Sequence, residues 1–147
     1  MSKLKLLMHL VIIGLVLFFM FHKPELPKGR VKNSNEYSVF LTNQFDEYEI
    51  KLNEEMHTSV ATFLYYIIDS NNMSIEAYNK EKDDLKSLGW RYIGVVSNME
   101  AFCDKKNNML SFKFPNKNAH KDDLLDKNWG VELIAYIYGN PECKLLK

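Results

Sequence analysis

Leu6 to Phe21, LLMHLVIIGLVLFFMF, holds no acid and no base apart from His9. A run of this kind decides where the rest of the chain resides, because it gains free energy by leaving water for lipid. It exceeds the roughly 7–15 residues of a signal-peptide core and approaches the lower limit of about 17 for a full span. Leu4 extends it if Lys5 snorkels to the interface. Signal cleavage needs small residues just before the cut, whereas the run ends Phe18-Phe19-Met20-Phe21-His22. The expectation is an uncleaved, single-span signal anchor over residues 1–21, in contact with membrane lipid. A cleaved export signal and a buried core helix are the alternatives.

Orientation follows from two opposed signals. Lys23, Lys28, Arg30 and Lys32 follow the run, against Lys3 and Lys5 before it. Counting basic residues alone would hold the C-terminal body in the cytoplasm. A very short basic N-terminus ahead of an apolar run is, however, the usual form of an export signal. The reading adopted is N-terminus inside and body outside the cytoplasm of a bacterial inner membrane.

The anchor carries two of the chain's 19 basic residues and none of its 19 acidic ones, leaving 17 basic against 19 acidic residues in the body. No segment has the basic footprint of a nucleic-acid-binding surface. Residues 22–35, HKPELPKGRVKNSN, hold two prolines and a glycine without periodicity and read as a linker. Residues 36–147 are then one small extracytoplasmic domain.

Within it, Tyr37, Leu41, Phe45, Tyr48, Leu52, Met56, Val60, Phe63 and Ile67 recur at intervals of three and four. That spacing predicts a helical stripe, either one long helix or two with a joint near Asn43, with helix expected from Glu47 to Ile68. Ser74 is placed to cap a second helix, Ile75 to Leu88, with Ile75, Tyr78, Leu85 and Leu88 on one face. Glu76 and Lys80 would pair across a turn, and Gly89 would close the helix. Strands are expected at Trp90–Ser97, around Glu100–Asp104, through Leu110, Phe112 and Phe114, and at Trp129–Tyr138. Pro115 to Asn128 reads as a loop with one helical turn at Asp122–Asp126. The fold class is α+β: one or two helices packed on an antiparallel sheet of about four strands.

Cys103 and Cys143 are the two cysteines of the chain. Their separation is not that of a redox CxxC pair, and two thiols make a poor zinc site. A disulfide pinning the C-terminal tail to the sheet is expected, and such a bond persists in an oxidising compartment. His120, Asp122, Asp123 and Asp126 lack the pattern of a calcium loop and read as a solvated turn. Glu54, Glu55 and His57 do not form a zinc-protease motif. No nucleophile elbow, phosphate loop or dinucleotide fingerprint is present, so no catalytic residue, metal or cofactor is assigned.

The order of apolar helix, further helix, antiparallel sheet and C-terminal cysteines is similar in layout to type IV pilin-like subunits. The residues depart from that pattern, since the Gly-Phe processing site and the early Glu of the apolar helix are missing. The expected function is a membrane-anchored, non-enzymatic binding or accessory module of the cell envelope with a protein partner. A structural subunit assembling through the long helix, and a membrane enzyme without a recognisable motif, are the alternatives.

Overall fold

The computed structural model describes residue 12, residues 34–120 and residues 123–145. All of the expected anchor but Ile12, and all but the last two residues of the expected linker, lie outside them. Among the described residues no helix is long and apolar enough to cross a membrane.

Helix α1, Ser34–Gln44, and a 3-10 turn, Asp46–Tyr48, lead into a hairpin of β1, Lys51–His57, and β2, Ala61–Ile68. Helix α2, Ile75–Ser87, then carries the chain to β3, Arg91–Val96, β4, Met99–Cys103, and β5, Met109–Lys113. A short α3, Leu124–Lys127, precedes β6, Trp129–Tyr136, and α4, Pro141–Leu145, follows it. The six strands form one sheet in the order β1-β2-β6-β5-β4-β3. Every neighbouring pair is antiparallel. The α+β class and the antiparallel pairing expected from the sequence are therefore present, with six strands where about four were expected.

The difference lies in residues 47–68, which were expected to be helical. Their helical spacing is real but incidental. Leu64, Tyr66 and Ile68 are buried and alternate with half-buried Phe63, Tyr65 and Ile67, a period of two that a nearly continuous apolar stretch conceals. β-Branched and aromatic residues favour the pleated form, and pairing along both edges of β2 supplies its backbone hydrogen bonds. Thr58 makes the reversal: its N–H donates to the Ala61 carbonyl at 2.8 Å, and its hydroxyl accepts from the Ala61 N–H at 2.9 Å. The joint expected near Asn43 is the end of α1.

Local signals set the rest. Ser74 caps α2, its hydroxyl accepting from the Ala77 N–H at 3.1 Å. Gly89 closes that helix at φ +91°, while the Trp90 and Gly89 amides bond back to Leu85 and Lys86 at 3.0 Å each. Tyr78 and Leu85 are buried, whereas Ile75 and Leu88 are exposed at the helix ends instead of joining the buried face. Lys80 pairs with Glu47 at 3.7 Å rather than with Glu76. The Glu76 carboxylate turns back to its own backbone amide at the helix N-terminus, which holds its pKa below the ordinary value. Ser97 and Asn98, both at positive φ, form the two-residue turn between β3 and β4.

Both long helices cover one face of the sheet. There Leu41 of α1, Phe45 just past its end, and Tyr78 and Leu85 of α2 meet Leu64, Phe102, Leu110, Phe112, Val131 and Leu133. Trp129 lies in this layer, its ring centroid 5.3 Å from Tyr78 and 4.9 Å from Phe114. Its indole N–H donates to the Met73 carbonyl at 2.8 Å. Glu81, buried with the core, is paired: it accepts from Tyr48 Oη at 3.0 Å and from Gln44 Nε2 at 2.7 Å. Burial alone would push the Glu100 carboxyl up, but hydrogen bonds from Lys82 at 2.6 Å and Tyr78 at 2.7 Å hold it below its usual value.

Candidate binding face

The opposite face of the sheet is partly covered. At its β3–β5 side, α4 brings Cys143 over β4, and Cys103 and Cys143 are joined by a disulfide with Cα atoms 5.6 Å apart. Ala101, Cys103, Met109 and Cys143 form a small second core there, flanked by Ile93, Val96 and Ile134. Pro141 opens α4 at a position whose N–H needs no partner. The Asn140 amide donates to the Asn107 carbonyl at 2.7 Å, and Arg91 Nη2 donates to the Cys143 carbonyl at 3.1 Å. The disulfide and these hydrogen bonds hold the described part of the tail to the sheet.

From this patch toward β1, strand register arranges the side chains in rows, because directly paired residues share a face. Met56, Phe63, Ile134 and Met109 are successive partners across β1, β2, β6 and β5. The adjacent row runs Glu54, Tyr65, Glu132, Ser111 and Ala101. Gly130 leaves room for the Tyr65 ring, since a Cβ there would clash with the Tyr65 hydroxyl oxygen. Phe63 and Tyr65 lie with their rings parallel, centroids 6.5 Å apart. Lys113 donates to Asp126, a carboxylate brought over by α3; this bond raises the ammonium pKa.

Glu132 is the anomaly of this face. Its side chain is half-buried between Tyr65 and Ser111, and burial alone raises its pKa. Among the described residues it accepts no hydrogen bond and meets no compensating cation. An ionised carboxylate that loses water without gaining a partner destabilises the folded state. The cost is fully present above the raised folded pKa and disappears below the ordinary one. Glu132→Gln is therefore expected to raise the melting temperature at neutral pH by a few degrees. Parallel thermal melts of the two proteins across acidic pH check this, with the gap closing as pH falls through the carboxylate range.

The other residues singled out in the sequence are dispersed. Glu54, Glu55 and His57 lie on the exposed edge strand β1 and not on a helix. His57 bonds Glu55 at 2.7 Å and Thr62 at 3.2 Å. Asp123 caps α3 through the Asp126 amide, Asp126 binds Lys113, and Asp122 lies outside the described residues. Among the described residues no group of three His, Cys, Asp or Glu gathers to hold a metal ion. A cleft of about 630 Å³ beside the start of α2, lined by Met73, Phe114, Trp129, Lys117 and Lys127, has no carboxylate and no His among the described residues that line it.

No protein-family model, no curated protein and no solved structure matches this chain.

Proposed function

We propose that this protein is a membrane-anchored, non-enzymatic binding module whose α+β domain faces the oxidising side of the membrane. The observation that carries this reading is the Cys103–Cys143 disulfide. It joins the C-terminal helix to the sheet in a buried setting, and bonds of that kind persist outside the cytosol. The apolar run at Leu6–Phe21 supports the tether, and the uncovered part of the sheet offers a contact surface. Assembly through a long helix has lost its element, since β1 and β2 occupy that stretch.

Protease added to spheroplasts tests the location. A C-terminal epitope should disappear from intact spheroplasts while a cytoplasmic marker survives. An epitope degraded only after the membrane is opened would contradict the reading.

A further inference from the structure

Glu132 has no evident place in the packing of its own domain. Lys113 lies diagonal to it across β5, yet its ammonium is taken by Asp126. Lys51, one row away on the edge strand opposite Ile67, makes no compensating interaction with it. A half-buried carboxylate set beside aromatic and apolar side chains, without a partner among the described residues, is the mark of a position kept for something that binds.

We propose that the open face, centred on Glu132 and Tyr65, docks an extended segment of a partner protein that places a Lys or Arg side chain between apolar neighbours. The proposal rests on the reading of this domain as a binding module and specifies the chemistry of its partner. The incoming cation meets the Glu132 carboxylate in a charge-assisted hydrogen bond. Its aliphatic stem lies against Phe63 and Tyr65, whose ring electrons also attract the charge. Glu54, in the same row at the edge strand, places a second negative charge on that line. The neighbouring row of Met56, Phe63 and Ile134 spans three strands, roughly 10 Å, which is longer than a small amine covers. That row receives the apolar neighbours and selects a protein segment over a free amine.

The test titrates the purified full chain against fluorescent extended heptapeptides with Lys, Arg, Gln or Glu at the centre, flanked by leucines. Anisotropy should show the Lys and Arg peptides binding about tenfold or more tighter than the Gln peptide. Glu132→Gln should shrink that preference to within about twofold while its melting temperature stays equal to or above that of the parent, which excludes misfolding. Absence of binding, equal binding of all four peptides, or a preference that survives Glu132→Gln would each overturn the proposal. So would displacement of the Lys peptide by the diamine cadaverine at the concentration at which unlabelled peptide displaces it, because the face would then serve free amines. Protease accessibility in spheroplasts is read independently, so failure of the docking proposal and failure of the anchored-module reading are told apart.

Discussion

Trp129→Ala is expected to destabilise the domain by about 4 kcal/mol, lowering the melting temperature by roughly 15 °C. The indole is buried in the layer between sheet and helices, against Tyr78 and Phe114. Truncation leaves a void that these rings cannot fill without giving up their own contacts, and close-packed interiors relax only partly. It also orphans the Met73 carbonyl, which receives the indole N–H just before the α2 cap. Trp129→Phe separates the two contributions, since it keeps a ring and removes the donor; its cost should be well under half as large. Near-UV circular dichroism of the full chain during thermal melting reads both variants. A loss under about 1 kcal/mol for Trp129→Ala would contradict the placement of this ring in the core.

Removal of the staple should have an effect of similar size through a different state. Cys103 and Cys143 are separated by 40 residues, and opening such a loop in the unfolded chain costs about 4 kcal/mol of stability in the chain-entropy model. The double substitution to Ser should therefore melt roughly 15 °C lower than the oxidised parent. Reduction of the parent should reproduce most of that shift, and should leave the double variant unmoved. Equal melting of the oxidised parent and the double variant would show that the tail is held by its hydrogen bonds alone.

The second half of the domain was legible because its signals are local. Ser74 and Gly89 bracket α2, Leu110 and Phe112 alternate with smaller or charged residues, and the strand-forming segment from Trp129 is stopped before Pro141. The β1–β2 hairpin was not legible. Its outer strand is exposed along its whole length and carries no burial pattern. Its inner strand is apolar on both faces, so helical and extended spacings can both be counted through it. Only pairing with β6, from the far end of the chain, decides between them. The binding face was hidden for the same reason. Glu132 reads in sequence as one polar residue within an apolar strand, and its lack of a partner among the described residues appears only when register sets Tyr65 and Ser111 beside it. Lys113 is diagonal to it in the register, but α3 brings Asp126 to the lysine's ammonium. The cysteine pair needed less: two cysteines permit one intramolecular bond, and what remained to be established was that their strands and helix converge.

The most direct test of the anchored, extracytoplasmic reading is the thiol state of the full chain in its own cell. Free thiols are blocked at the moment of lysis, and peptides are mapped by mass without reduction. The account predicts a linked Cys103–Cys143 peptide with no blocked cysteine. Two blocked cysteines would contradict it, placing the domain in a reducing compartment and removing the staple from the native molecule.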